Sequence, residues 1–270
     1  MIKDITIGQY FPGKSVLHRL DPRMKLLLTL LYLVMLFCAK GFLGLAVGIV
    51  YLVGAFLISG IPIKMMLKSV KPILPIIIFT GILNLFFINT GEVLFSWTFI
   101  RITNDGVRTM LFMAIRIIFL ICGTSLLTYT TSPLALTDAI ERIFSPLKVI
   151  HFPAHEIAMM MTIALPFIPT LIEETDKIMS AQKARGADLE TGSVLKRAKA
   201  LVPILIPLFV SAFRRADELA LAMECRCYHG GDGRTRMKQL KTSPMDYIAL
   251  AVTVMFFVCV IILNIFLPAL

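Results

Sequence analysis

Charge is scarce in this 270-residue sequence. Asp, Glu, Lys and Arg make up 16% of it, where soluble domains carry about 25%. That shortage, with 57% hydrophobic residues, excludes a water-soluble globule and excludes disorder as well. Cysteines are few and odd in number: Cys38, Cys122, Cys225, Cys227 and Cys259. Three of them lie inside apolar runs, so no secreted disulfide framework is expected. Acidic residues are the rarer charge, 17 against 27 Lys+Arg, for a net +10. In a soluble chain that excess would suggest nucleic acid. In a chain this apolar it reads as the positive bias of cytoplasmic loops, and no nucleic-acid partner is expected. Residues 1–25 hold five basic and two acidic residues and no apolar core, so no cleavable signal peptide is expected. The class is an all-α polytopic membrane protein.

Five segments suit a hydrocarbon core of about 30 Å. They run over 22–39, 42–59, 72–89, 108–131 and 247–267, with Asp21 as N-cap and Pro22 at the first helical position of the first. With the N-terminus inside, regions 1–25, 60–71 and 132–246 hold 5, 3 and 15 Lys+Arg, against Lys40, Arg101 and Arg108 outside. The expected orientation is N-terminus in the cytoplasm and C-terminus outside. The expected organisation is a four-span membrane region (1–131), a cytoplasmic domain of long helices (132–246) and a last transmembrane helix (247–270). Two further spans within 132–246, broken by Pro166/Pro169 and Pro203/Pro207, are the alternative. They would place Arg185 outside, against the charge bias.

That middle region repeats itself at a spacing of 41 residues. Ile163, Pro166, Asp176, Ala181 and Arg185 fall on Ile204, Pro207, Asp217, Ala222 and Arg226. Each copy ends in an arginine between small residues, Ala184-Arg185-Gly186 and Cys225-Arg226-Cys227, near the end of an expected long helix that Gly186 would terminate. An arginine in that place satisfies the helix dipole. Its repetition favours docking, since the guanidinium is a rigid five-donor fork for carboxylates and carbonyls. Glu173-Glu174 in one copy are Arg214-Arg215 in the other, and could pair where the helices cross.

These residues resemble the transmembrane T component of energy-coupling factor transporters, importers of vitamins and metal ions. The resemblance is carried by Gly8-Gln9-Tyr10, His18-Arg19-Leu20-Asp21-Pro22-Arg23, Thr130-Thr131-Ser132-Pro133, Phe167-Ile168-Pro169-Thr170, Ala184-Arg185-Gly186 and Tyr228-His229-Gly230-Gly231-Asp232-Gly233-Arg234-Thr235. It implies a scaffold in a bacterial cell membrane whose two coupling helices cross. Arg185 and Arg226 would dock into two cytoplasmic ATPase subunits, expected as a heterodimer. The membrane helices would contact a substrate-binding S component, with the second span a candidate surface. Cysteines replace Ala and Gly around Arg226, and both are small. Catalysis is expected in the ATPases, not in this chain, and no cofactor is expected.

Other motifs lack their context. Gly8-x-x-x-x-Gly13-Lys14-Ser15 matches a phosphate loop after a β-like run over 2–7, but a proline and a membrane span follow where a nucleotide-binding sheet is needed. His151 and His155 are separated by Pro153, which argues against a metal-binding helix face. Cys225-x-Cys227 lacks a second pair for zinc. Arg116 within the fourth span is costly there and would pair with a polar group such as Asn84 or snorkel. Gly44-x-x-x-Gly48 permits close helix contact. Lys64, Lys68 and Lys71 share a helix face that suits anionic headgroups. A secondary transporter without ATPases is the alternative function; it predicts ionisable residues in several spans, where Arg116 alone qualifies. An intramembrane enzyme would need paired His/Glu or Ser/His groups on spans, and none is present.

Overall fold

The computed structural model describes residues 10–88, 90, 93–97, 100–146, 153–187, 193–230 and 240–266. Gly8, Gln9, the β-like run over 2–7, His151 and the motif residues at 231–235 lie outside these. The described chain is almost entirely helical: α1 (Val16–Arg19), α2 (Pro22–Cys38), α3 (Phe42–Ser59), α4 (Ile63–Val70), α5 (Leu74–Phe87), α6 (Asn104–Thr130), α7 (Pro133–Phe144), α8 (Ala154–Ala184), α9 (Val194–Cys225) and α10 (Pro244–Phe266). The 3₁₀ turn Lys71–Ile73 joins α4 to α5. Among the described residues one hairpin departs from this, β1 (Val93–Trp97) paired antiparallel with β2 (Ile100–Thr103) in the connection before α6.

Five helical runs are long and apolar enough to cross a membrane: Phe42–Ser59, Ile63–Phe87, Asn104–Thr130, Ala154–Ala184 and Pro244–Phe266. Four coincide with expected spans. The segment expected over 22–39 forms α2 with its predicted cap, Asp21 accepting from the Arg23 N–H and Pro22 at the first position. Its 17 residues rise about 25 Å, at the lower end of what crosses the hydrocarbon core. The fifth run is α8, with the lowest mean hydropathy of the five, 1.5 against 1.9–2.9.

The chain forms two compact units, Gln9–Ala139 with Leu240–Leu270, and Ile140–Gln239. The first is built around α2, α3, α6 and α10. α2 buries Leu28, Tyr32, Met35 and Leu36, spaced as one helical stripe. Tyr32, Met35 and Leu36 join Leu45, Leu52 and Phe56 of α3, Cys122, Leu126 and Tyr129 of α6, and Val260 of α10 in one core. In lipid, helices associate by close packing rather than by escape from water, and small residues allow it. A Cβ at Gly123 would stand 2.2 Å from the Tyr32 ring, and one at Gly48 would stand 2.6 Å from Leu36 Cδ2. Gly44 and Gly48 thus serve packing within this unit. In the second unit, α8 and α9 pack against each other.

Candidate functional site

The two arginine motifs terminate α8 and α9 in the same geometry. Arg185 and Arg226 are the C-caps, with φ/ψ of −83°/6° and −93°/15°. The next residue turns left-handed in each, Gly186 at φ 85° and Cys227 at φ 56°. The Ala187 N–H then reaches Gln182 O at 3.0 Å and the Gly186 N–H reaches Lys183 O at 3.0 Å. The Tyr228 N–H reaches Met223 O at 3.1 Å and the Cys227 N–H reaches Glu224 O at 2.8 Å. These are matching Schellman endings, bond for bond at the 41-residue spacing. Ala184, Arg185, Gly186, Cys225, Arg226 and Cys227 are all exposed. Among the described residues neither guanidinium has an ion-pair partner.

Glu174 and Arg215 meet. Arg215 Nη2 donates to Glu174 Oε2 at 2.8 Å. The two are equivalents in the repeat, so the helices touch at corresponding positions, each 11 residues before its arginine or roughly 16 Å along the helix. Glu173 and Arg214 beside them are exposed. The result is two arms of equal length, tipped alike.

In the unit of Gln9–Ala139 with Leu240–Leu270, the segment His18–Arg23 and its neighbours form a polar clasp that no local sequence pattern marks. Asp246, fully buried at the start of α10, accepts from the Asp21 N–H at 2.9 Å and from the Ser243 N–H at 2.6 Å. Arg23 forks onto the Asp21 carboxylate at 2.8 and 3.2 Å and donates to Leu240 O at 3.1 Å. Lys25 Nζ, buried, donates to Thr130 O at 2.9 Å and to His18 O at 3.1 Å, occupying a carbonyl left open at the end of α6. Burial opposes the Asp21 charge, but hydrogen bonds from the Arg23 side chain and backbone, with the charges of Arg23 and Lys25, outweigh it and hold the carboxyl below its ordinary range. The clasp therefore holds the chain where α6 ends and where α10 begins.

Arg116 does not pair with Asn84. Its Nη2 donates to Ala39 O, the C-cap of α2, and its guanidinium stands 4.5 Å from the Phe112 ring centre. An unsatisfied helix-terminal carbonyl is a strong acceptor in lipid, which a neutral amide one helix away could not displace. Asn264 completes that end, donating to Cys38 O at 2.7 Å and accepting from the Lys40 N–H at 3.2 Å. His155 Nδ1 stands 3.0 Å from Glu141 Oε1, and Ser15 Oγ stands 2.7 Å from His18 Nδ1. An apolar groove of about 510 Å³ runs between α1, α3 and α10, lined by residues including Leu17, Val50, Tyr51, Gly54, Ile248 and Val252.

Comparison with known proteins finds relatives along nearly the whole chain. Residues 13–237 match the family described as cobalt transport protein. The energy-coupling factor transporter transmembrane protein EcfT of Ruminiclostridium cellulolyticum is 54% identical over 264 residues, 98% of each chain. Its namesake in Acidaminococcus fermentans is 50% identical over 269 residues and the full length of both. The Bacillus subtilis protein of that name is 44% identical over 246 residues, 91% of this chain and 93% of its own.

Proposed function

Because the chain belongs to the family of energy-coupling factor transporter transmembrane proteins, we propose that it is the scaffold and energy-coupling subunit of a vitamin or transition-metal importer, driven by two cytoplasmic ATPases. ATP is hydrolysed in those partners, and cargo is chosen by a membrane-embedded substrate-binding subunit. α8 and α9 are the coupling helices, on the cytoplasmic side with the N-terminus, and the C-terminus is outside. That arrangement keeps the basic residues of 132–246 inside.

One observation carries the reading. Repeat-equivalent residues Glu174 and Arg215 join two helices that end in the same exposed arginine turn. Two like tips at equal distances from one junction suit two like partners. Each guanidinium enters a groove flanked only by small side chains, Ala184 and Gly186 or Cys225 and Cys227, so it can donate to carboxylates or carbonyls at close range. When ATP draws the ATPases together, the tips move with them, and the joined helices carry that motion to the subunit above. Coupling requires the tips to bind the ATPase states unequally, since a contact of equal strength in both shifts nothing. The groove opened by Gly54 on α3 is the proposed seat of the substrate-binding subunit.

The test is copurification in detergent with the cell's ATPases, comparing wild type, Arg185→Glu, Arg226→Glu and the double variant. Wild type retains both ATPases, each single variant weakens one, and the double loses both while its membrane unit stays folded. A double variant that binds as well as wild type overturns the docking assignment. It would bring forward the secondary transporter that works without ATPases.

A further inference from the structure

We infer that α4 and the turn after it form a binding site for anionic phospholipid headgroups, with Lys64, Lys68 and Lys71 as its cations. α4 is fixed in place: Met65, Met66 and Val70 pack on the core, the Tyr129 hydroxyl donates to Met65 O at 3.1 Å, and Ser69 Oγ is also bonded to that hydroxyl. Its other side is uncovered. Ile63 and Leu67 are 68% and 60% exposed, and the three lysines beside them are exposed as well. Among the described residues none of the three has an ion-pair partner. No acidic residue occurs between Asp21 and Glu92, so nothing on this stretch of chain neutralises them.

Depth in the membrane identifies the occupant. The run Ile63–Phe87 has 25 residues and rises about 37 Å, while about 20 residues cross the hydrocarbon. Counted back from Phe87, the boundary falls near Lys68. Lys64 then lies beyond it, and Lys71 lies less than a turn inside, where its four-carbon stem reaches the headgroups. Ile63 and Leu67 form an apolar strip next to the basic one. A helix with adjacent apolar and basic strips at the boundary matches a lipid, whose chain and charged head sit side by side. An acidic protein surface would leave that apolar strip without a partner.

The test uses the full chain with Trp97→Phe and Leu67→Trp, reconstituted in bilayers of phosphatidylglycerol and phosphatidylcholine, with one or the other brominated in its chains. Bromine quenches a tryptophan it touches, so the two measurements give the relative affinity at α4. At about fivefold per lysine near a charged surface, phosphatidylglycerol is preferred at least fivefold. The preference falls close to one in K64Q/K68Q/K71Q and survives in K64R/K68R/K71R. Equal quenching by the two lipids with the lysines intact, or a preference the glutamines leave unchanged, overturns the inference. So does quenching by neither lipid, which would mean that protein covers the site.

Discussion

Cys227→Gly is expected to stabilise the end of α9, and Gly186→Cys to destabilise the end of α8. Cys227 is held at φ 56°, where a Cβ crowds the neighbouring carbonyl and costs about 1–2 kcal/mol. Glycine removes that strain, while its greater freedom in the unfolded chain offsets about 0.4–1 kcal/mol. The net gain is roughly 0.5–1 kcal/mol. At Gly186, φ 85° with nothing within 4 Å of an added Cβ, the same arithmetic runs in reverse and steric contact adds nothing. The readout is amide exchange at the two bonds that close the turns, Tyr228 N–H to Met223 O and Ala187 N–H to Gln182 O. Tyr228 should exchange about two- to fivefold more slowly in Cys227→Gly, and Ala187 faster by a similar factor in Gly186→Cys. Faster exchange at Tyr228 in Cys227→Gly, or no change at either site, refutes the claim that the two ends share one turn.

Lys25→Met leaves Thr130 O and His18 O without their donor and should lower stability by about 1–3 kcal/mol, read as thermal unfolding in detergent. The depressed carboxyl of Asp21 contributes stability above its unfolded value near 3.8 that is lost as pH falls through the lower folded value; acid unfolding below about pH 4 should be blunted in Asp21→Asn. Gly123→Ala drives a Cβ into the Tyr32 ring and should destabilise by a net of about 1–2 kcal/mol after the gain in helix propensity, whereas Gly54→Ala, with open space around it, should unfold no earlier than wild type. A double-mutant cycle across Glu174 and Arg215, both partly exposed, should return no more than about 1 kcal/mol.

Much of the membrane unit was legible because its signals are local. Asp21-Pro22 marks a helix start by capping chemistry, Lys40-Gly41 breaks an apolar run, and α3 forms over the expected 42–59. The repeat was legible because spacing survives without alignment. Cys227 concealed its own turn, since cysteine gives no sign of left-handed backbone and only the parallel with Gly186 points to it. The clasp was out of reach: Asp21 and Asp246 are 225 residues apart, and a solitary aspartate at the start of an apolar helix reads as an N-terminal charge. Arg116 stands out in the sequence for its cost, but its partner is a backbone carbonyl, which every residue carries and no pattern marks. The hairpin before α6 is short and lies between apolar runs, so periodicity did not separate it from a loop.

In the proposed mechanism, ATP moves the two tips. Spin labels at the exposed, repeat-equivalent Ala181 and Ala222, in a cysteine-free variant assembled with its ATPases and substrate-binding subunit, report the distance between the arms by electron double resonance. One distance is expected without nucleotide and another, displaced by several ångströms, when ATP is trapped; Arg185→Glu/Arg226→Glu should abolish the difference. A single distance unchanged by ATP in an assembly that still imports its substrate would contradict that mechanism.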